Sequence, residues 1–181
     1  MRIVGGKYKG RQIPVRKNFP SRPTTDFAKE NIFNVLANYF DFEELLVLDL
    51  FAGTGSISYE FASRGSQVDL IEKDPRSLAF IKETVEKLSM DTIRTIKGDV
   101  FKAIRYLDKK YDIVFADPPY AMKNIAALPE IIFEQQLLKE DGWFILEHSD
   151  QYNFNGSIQF HELRKYGSVH FSVFSNSAKR R

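Results

Sequence analysis

The tetrapeptide Asp117-Pro118-Pro119-Tyr120 contains the residues of this chain that are best suited, by type and order, to chemistry. It follows the apolar run at 111–116, which predicts a buried strand that stops at the two prolines. Because proline has a fixed φ and no backbone N–H, the turn should hold the Asp117 side chain and the neighbouring carbonyls in place. Fixed acceptors beside the ring of Tyr120 can hold a planar base and accept hydrogen bonds from its exocyclic amino group. An ordinary strand end followed by a proline turn would have the same sequence pattern. The rest of the chain is therefore needed to distinguish a binding site from a structural turn.

A glycine-rich turn at 51–56 follows an earlier apolar strand, which contains Asp49. Glycines in such a turn let a ligand approach the backbone closely where the next helix begins. A dinucleotide-binding fingerprint would have a third glycine at position 58, where this chain has Ser58. Asp49 would repel a pyrophosphate, but it suits a cationic ligand such as an ammonium or sulfonium group. Both features count against the alternative of a nicotinamide-dependent oxidoreductase.

Two further acids stand where strands are predicted to end. Glu72 ends the second strand, where an acid can accept hydrogen bonds from ribose hydroxyls. Asp99 follows the third strand, where it could accept a bond from an adenine amino group. Each acid alone is an ordinary helix cap or solvated group. Together with Asp49 and the Asp-Pro-Pro-Tyr turn they mark four strand ends, and ligands of parallel sheets bind outside the carboxyl ends of strands.

Apolar strands alternate with amphipathic segments from residue 45 onward, which predicts an α/β fold with helices on both faces of a mostly parallel sheet. A turn at 165–167 separates the last two strands and makes them an antiparallel pair. Before residue 45 we predict a small hairpin and a helix that runs from an N-cap at 24–26 to about residue 39. The predicted hairpin strands are 2–5 and 11–15, the later strands 45–50, 67–72, 93–97, 111–116, 142–147, 157–163 and 168–174, and the later helices 55–64, 75–89, 100–108 and 125–138.

Composition predicts one globular domain over residues 1–181, in the cytoplasm. The chain has 43% hydrophobic and 28% charged residues and no cysteine, which excludes disulfides and thiolate metal sites. It has no apolar run of the length that a membrane span needs. No group of His, Asp and Glu has the spacing of metal ligands, so no metal is expected. His148, His161 and His170 are interpreted as structural or surface residues.

Charge is distributed unevenly along the chain. The net charge is +2, yet residues 1–29 contain eight Lys and Arg and one acid, Asp26, so they carry +7 and the remainder carries −5. A basic segment on a mildly acidic body predicts contact with a polyanion such as nucleic acid. We therefore interpret residues 1–24 as a basic hairpin-and-loop extension of the domain.

With these motifs the chain resembles S-adenosylmethionine-dependent methyltransferases of the Rossmann-like class. More narrowly it resembles the RsmD family, which methylates the exocyclic N2 of a guanine in 16S ribosomal RNA. The glycine turn and Asp-Pro-Pro-Tyr are shared by many amino-methyltransferases, and Gly6-Lys7-Tyr8-Lys9-Gly10 and Arg22-Pro23-Thr24-Thr25-Asp26 narrow the resemblance. After Asp26 the family usually carries arginines, whereas this chain has Phe27-Ala28-Lys29-Glu30, in which Lys29 keeps one positive charge. The resemblance is carried by residues 1–11, 22–26, 48–56, 72–74, 98–100, 117–120 and 166–167.

The resemblance implies a Rossmann-like methyltransferase fold and S-adenosyl-L-methionine as the cofactor. It implies 16S rRNA, in the small ribosomal subunit or an assembly intermediate, as the partner. The small size of the domain beside so large a substrate predicts a monomer, and the composition predicts no membrane partner. Asp117 and the Pro118 carbonyl would orient the guanine amino group, and Tyr120 would stack on the base. The implied catalytic residues are Asp117, Pro118, Pro119 and Tyr120. The implied cofactor-binding residues are Asp49, Phe51, Ala52, Gly53, Thr54, Gly55, Glu72, Lys73, Asp99, Val100 and Asp117. The implied RNA-binding residues are Arg2, Lys7, Lys9, Arg11, Arg16, Lys17 and Arg22.

Two other functions remain open on the sequence alone. An adenine-N6 methyltransferase acting on DNA or RNA would use the same turn, because Asp-Pro-Pro-Tyr suits both amino groups. A non-catalytic RNA-binding factor of ribosome assembly would keep the basic segment without the chemistry. The complete row of strand-end acids argues against this second alternative.

Overall fold

The computed structural model describes residues 1–15, 19, 25–119, 121–157 and 159–176. Within these ranges the chain forms seven strands in one sheet and five α-helices. The helices are α1 (Asp26–Leu36), α2 (Ser56–Ser63), α3 (Pro75–Leu88), α4 (Val100–Ala103) and α5 (Leu128–Glu134). The strands are β1 (Leu46–Leu50), β2 (Gln67–Glu72), β3 (Ile93–Lys97), β4 (Tyr111–Ala116), β5 (Leu138–His148), β6 (Phe160–Tyr166) and β7 (Val169–Ser175).

The sheet has the strand order β3-β2-β1-β4-β5-β7-β6. Strands β1 to β5 are parallel, and β7 runs antiparallel to both β5 and β6. The prediction of a mostly parallel sheet with an antiparallel C-terminal pair is confirmed. The order of the strands reverses at β1 and β4, so their carboxyl ends form the crevice in which ligands of open α/β sheets bind.

Both faces of the sheet are covered by apolar side chains. On one face α1 and α2 pack against the sheet, with Ile32, Phe33 and Phe61 buried in one cluster with residues of β1, β4, β5 and β7. On the other face Leu128 and Ile132 of α5 are buried with apolar residues of β1, β4 and β5. The strand ends are therefore held by a sheet packed on two sides, which suits a site whose groups must stay in place.

Several predicted boundaries were wrong. Helix α1 ends at Leu36, and the segment predicted as one helix over 125–138 contains a 3-10 turn and the shorter α5. Strand β5 begins at Leu138, because Gln136 takes a left-handed φ of 51° that ends the helical stretch. The charged residues 139–141 follow in extended form, and Gly142 lies so close to β4 that a Cβ there would be 2.9 Å from the Tyr111 carbonyl oxygen. An apolar run could not reveal this charged start to a strand.

The N-terminal segment forms a hairpin-like loop. Its arms are joined by one antiparallel bridge, Arg2 with Gln12, and by hydrogen bonds of Ile3 N–H to the Arg11 carbonyl (3.0 Å) and Gly10 N–H to the Ile3 carbonyl (2.8 Å). The predicted strands 2–5 and 11–15 are thus reduced to a single bridge. Residues 16–18 and 20–24, including the proposed N-cap Thr24, lie outside the described residues, and Thr25 caps α1 through its side chain.

Candidate active site

The turn between β1 and α2 presents backbone N–H groups at the carboxyl edge of the sheet. Phe51, Gly53 and Gly55 have left-handed φ values of 60°, 56° and 78°. The turn is fixed by hydrogen bonds of Ala52 N–H to the Ile71 carbonyl (3.1 Å) and Gly55 N–H to the Ala52 carbonyl (2.7 Å). A Cβ on Gly55 would lie 2.6 Å from Cζ of Tyr59, so this position needs glycine for both its backbone angle and its space.

Asp49 lies on β1 beside this turn, and it is 2% exposed. Its carboxylate accepts hydrogen bonds from the Ser58 hydroxyl, at 2.5 Å, and from the Ser58 backbone N–H. Burial raises the pKa of Asp49 to about 7; the Ser58 hydrogen bonds oppose the shift, and the carboxylates of Asp117 and Glu72 add to it. Ser58, which stands where a dinucleotide fingerprint has glycine, therefore anchors the acid.

The hydroxyl of Ser56, in the first turn of α2, is buried and has no hydrogen-bond partner among the described residues. A buried hydroxyl without a partner is costly, so a ligand that supplies one would be bound favourably here. S-adenosylmethionine fits this set of groups, because it offers polar atoms for Ser56, cationic groups for Asp49 and ribose hydroxyls for Glu72. When bound, it supplies a methyl group that its sulfonium sulfur has already activated for transfer.

Glu72, at the end of β2, points toward the glycine turn. Its two carboxylate oxygens accept hydrogen bonds from Gly53 N–H and Asp74 N–H, both at 2.7 Å. Each oxygen has a second lone pair, so the group can still accept bonds from a diol. Lys73 beside it is exposed, and Thr54 is buried with its hydroxyl 3.5 Å from the sulfur of Met1.

Asp99 precedes α4, but its side chain makes no capping hydrogen bond. By contrast, Asp74 caps α3 by accepting from the N–H groups of Arg76 and Ser77. Val100, after Asp99, is buried, and the ring of Phe101 meets that of Phe51 edge to face with centroids 6.3 Å apart. The carboxylate of Asp99 therefore keeps its capacity to accept a bond from a ligand at the end of β3.

Asp117 follows β4 and lies close to two other acids. Burial raises its pKa well above the usual range, and the neighbouring Glu147 carboxylate raises it further. Asp117 also raises the pKa of Asp49, which places the two carboxyls in one electrostatic environment. Pro118 is buried and Pro119 is exposed, and the Pro119 carbonyl accepts from Met122 N–H at 2.8 Å. Tyr120 lies outside the described residues.

The described part of the basic extension presents Arg2, Lys7, Lys9 and Arg11 as exposed residues. Arg2 is also paired with Asp26 at 3.3 Å. The backbone of this segment is attached to α2, since Lys7 N–H donates to the Ser63 carbonyl (2.6 Å). Arg16, Lys17 and Arg22, the other predicted RNA-binding residues, lie outside the described residues.

Buried ionic contacts also attach the N-terminal segment to α1 and α2. Glu60 of α2 is 0% exposed and accepts from Val4 N–H (2.7 Å), Lys29 Nζ (3.2 Å) and an Arg64 guanidinium nitrogen (2.6 Å). Lys29 is 1% exposed and also donates to the Arg2 carbonyl at 2.6 Å. Lys29 is thus enclosed by its partners and does not present its ammonium group at the surface of α1. Phe27, in contrast, is 63% exposed.

The histidine at the end of β5 is held by hydrogen bonds at both ring nitrogens. His148 is buried, with Nδ1 2.7 Å from the Ser149 carbonyl and Nε2 2.8 Å from the Ser172 hydroxyl. Burial lowers the pKa of His148, which favours a neutral ring that donates from Nδ1. Among the described residues no group of three His, Asp or Glu side chains could hold a metal ion. In the same ranges no helix has both the length and the apolar character to cross a bilayer.

Comparison with known proteins identifies the family. The model of the family described as Conserved hypothetical protein 95 matches residues 1–175. The chain belongs to this family. It is 34% identical over 153 residues to the YlbH protein of Bacillus subtilis (strain 168), which covers 82% of each chain. It is 32% identical over 144 residues to Ribosomal RNA small subunit methyltransferase D of Escherichia coli (strain K12), covering 79% of this chain and 69% of the relative. The resemblance to the RsmD family is confirmed.

Solved structures agree with the fold. A hypothetical protein from Thermus thermophilus superposes with a TM-score of 0.84 at 27% identity, over 97% of this chain and 99% of the other. An RNA methyltransferase from Salinibacter ruber, in complex with S-adenosyl-L-homocysteine, superposes with a TM-score of 0.66 at 18% identity, over 88% and 98% of the two chains. The Rossmann-like methyltransferase fold is confirmed.

Four buried polar residues were given no role by the sequence analysis, namely Ser56, Ser58, Glu60 and Glu147. Ser56 and Ser58 could have been noticed as hydroxyls in the first turn of a helix that follows a glycine turn. Glu147 ends an apolar run just as the other strand-end acids do, so the same signal was present in β5. Glu60 gave no signal, because an acid in a short helix looks like a solvated residue.

We expect the affinity of this RsmD-family protein for S-adenosylmethionine to rise with pH until about pH 7 and then to level off. The free protein holds a proton on Asp49 below its pKa of about 7, and a cationic ligand favours the carboxylate. Cofactor binding should therefore release a proton below that pH and none well above it. Calorimetry in two buffers with different heats of ionisation measures this release.

The matched variants for this test are Asp49→Asn and, as a control, Asp91→Asn, because Asp91 is exposed and follows α3 at a distance from the turn. Asp49→Asn should bind weakly and without proton release, whereas the control should behave as wild type. A wild-type affinity that does not change between about pH 5.5 and pH 8 would contradict the assignment of Asp49.

Proposed function

We infer that this protein transfers a methyl group from S-adenosylmethionine to the exocyclic N2 of a guanine in the RNA of the small ribosomal subunit. Membership of the family makes the protein an rRNA methyltransferase. What we propose beyond this is that the methylated base is a guanine and that the RNA is that of the small subunit. The observation that carries it is the position of Asp117, on a proline-fixed turn beside Asp49 at the carboxyl edge of β1 and β4.

The cofactor would be held by groups from three strand ends. The glycine turn, Ser56 and Asp49 would bind its amino-acid end and cationic groups, and Glu72 its ribose. Asp99, whose carboxylate makes no capping bond, would accept from its adenine amino group. The assignment of these residues rests on the chemistry of their free acceptors and donors.

The target base would lie against the Asp-Pro-Pro-Tyr turn. Asp117 and the Pro118 carbonyl would accept the two hydrogens of the amino group and so aim its lone pair at the methyl carbon. The negative charge of Asp117 would also favour the positive charge that develops on the nitrogen. Because a donor-bearing base favours the carboxylate, binding of the base would lower the raised pKa of Asp117. To reach this turn the base must leave its stack.

The basic extension, residues 1–24, would hold the RNA by its phosphates. Phosphate contacts supply affinity and orientation rather than base identity, so the residues there need only be exposed and positive. Arg2, Lys7, Lys9 and Arg11 satisfy this in the described part. We also propose that the extension and the methyltransferase body form one domain over 1–181. This domain would act as a monomer.

We expect the double variant Lys7→Ala, Lys9→Ala to bind RNA more weakly, and with less dependence on salt, than wild type. Removing two phosphate contacts should lower the slope of log K against log salt by about 1.5. Filter binding across a salt series measures the slope, and Lys82→Ala, an exposed lysine of α3, is the control. An unchanged slope would show that these lysines do not contact RNA.

The substrate class is tested by offering labelled S-adenosylmethionine with four nucleic acids. These are small subunits that lack the modification, the free 16S rRNA from them, large subunits and duplex DNA. Label in the small subunits or their RNA supports the proposal. Label in DNA, or in none of the four despite cofactor binding, would overturn it.

A further inference from the structure

Glu147 is buried beside Asp117 at the carboxyl edge of the sheet. In the register of β4 and β5, Ala116 pairs with Leu146, so Asp117 and Glu147 are the next residues of two neighbouring strands. Two residues earlier, Phe115 and Ile145 pair and are buried in the same cluster, which shows that this register position faces the α1 and α2 side of the sheet. Glu147 is 5% exposed, and its carboxylate raises the pKa of Asp117, so the two acids share one environment.

His148, the residue after Glu147, makes its hydrogen bonds to other residues. His148 uses both ring nitrogens in bonds to Ser149 and Ser172, and its lowered pKa makes it a poor source of positive charge for either acid. A ligand that presents two adjacent hydrogen-bond donors to this pair would favour the charged form of both acids.

Bases with an exocyclic amino group differ in the ring atom beside it. Guanine has a ring N1–H donor next to its amino group, whereas adenine and cytosine have a ring nitrogen with a lone pair there. A carboxylate adjacent to the amino-binding acceptor therefore accepts from guanine and repels the other two bases. Sites built to pair with a substrate donor discriminate strongly against analogues that lack it.

We propose that Glu147 is the specificity-determining residue for guanine, accepting a hydrogen bond from N1–H while Asp117 and the Pro118 carbonyl accept from the amino group. This role rests on the proposed function, because it names the acceptor that selects the base at the same site. It explains physically why the site would select guanine, whereas the Asp-Pro-Pro-Tyr turn alone suits the amino group of adenine equally well.

The test replaces the target guanine by 2-aminopurine, which keeps the amino group but has a lone pair at N1. The modified base is placed at the target position of the RNA, carried in whichever substrate the wild-type protein methylates, free RNA or reconstituted subunits. The ratio of kcat/KM for guanine to that for 2-aminopurine is measured for wild type, for Glu147→Gln and for the control Glu86→Gln, an exposed acid of α3. Affinity for S-adenosylhomocysteine and the melting temperature show whether each variant is folded.

Wild type should prefer guanine by about tenfold to a hundredfold or more. Glu147→Gln should lower that ratio by about tenfold, since its amide can donate to the N1 lone pair, while Glu86→Gln leaves the ratio unchanged. Equal use of the two bases by wild type, which needs no variant, would overturn the proposal. So would a Glu147→Gln variant that slows both reactions equally. A wild-type protein that labels no guanine in any carrier would instead reject the proposed function.

Discussion

Replacing Asp117 by alanine should slow methyl transfer by about 100- to 1,000-fold while cofactor binding changes little. The variant removes the acceptor that orients the amino group, and it leaves the glycine turn, Ser56 and Glu72 in place. Asp117→Asn keeps an acceptor oxygen but loses the charge, so it should retain about a tenth of the wild-type rate. Single-turnover rates at saturating cofactor measure the effect on the chemical step.

The control for this prediction is Asp91→Ala, which removes an exposed acid outside the site. The variants should bind S-adenosylhomocysteine with affinities near that of wild type, which separates a catalytic defect from a folding defect. If Asp117→Ala transferred methyl groups within about threefold of the wild-type rate, Asp117 would not orient the reacting amino group.

Replacing Glu60 by alanine should lower the free energy of unfolding by about 3–5 kcal/mol. The change removes the buried carboxylate beside the Lys29 ammonium, which keeps only Asp26, 3.5 Å away and partly exposed, and it leaves the Val4 N–H without its acceptor. For a chain of this size the melting temperature should fall by about 10 °C. Thermal unfolding measures the loss, with Glu83→Ala, an exposed acid of α3, as the control.

Hydrogen exchange distinguishes this account of Glu60 from a general loss of stability. If Glu60 fastens the N-terminal segment, the backbone amides of residues 3–13 should exchange faster in Glu60→Ala, relative to those of β1 and β4. A double variant, Glu60→Leu with Lys29→Met, removes both charges and should recover part of the lost stability. A loss below about 1 kcal/mol in Glu60→Ala would show that the buried ionic group does not hold the segment.

The strand ends of the site were predictable because they follow from apolar runs and their punctuation. Val114, Phe115 and Ala116 before two prolines could only be a buried strand that stops there, and the same reasoning located Asp49 and Glu72. Once the strands were assumed parallel, their terminal acids had to meet at one edge. The sequence therefore predicted which strand ends meet at this edge of the sheet, whereas the expected substrate came from the RsmD resemblance.

The ionic contacts beneath the basic segment were not predictable from local pattern. All eight residues of α2 are buried, because the sheet covers one side of the helix and the N-terminal segment covers part of the other. A helix pattern with one solvated face gives no sign that acids and lysines such as Glu60 and Lys29 are buried. Glu60 meets Lys29, 31 residues away along the chain, and Val4, 56 residues away. Such tertiary contacts leave no trace in the local sequence pattern.

Methylation of guanine N2 with the help of Asp117 is tested most directly by identifying the nucleoside that this protein methylates. Wild type and Asp117→Ala are incubated side by side with labelled S-adenosylmethionine and small subunits that lack the modification, and the RNA is digested to nucleosides. We predict label in N2-methylguanosine with wild type and almost none with Asp117→Ala. Label in N6-methyladenosine, or equal label in N2-methylguanosine from both proteins, would contradict it.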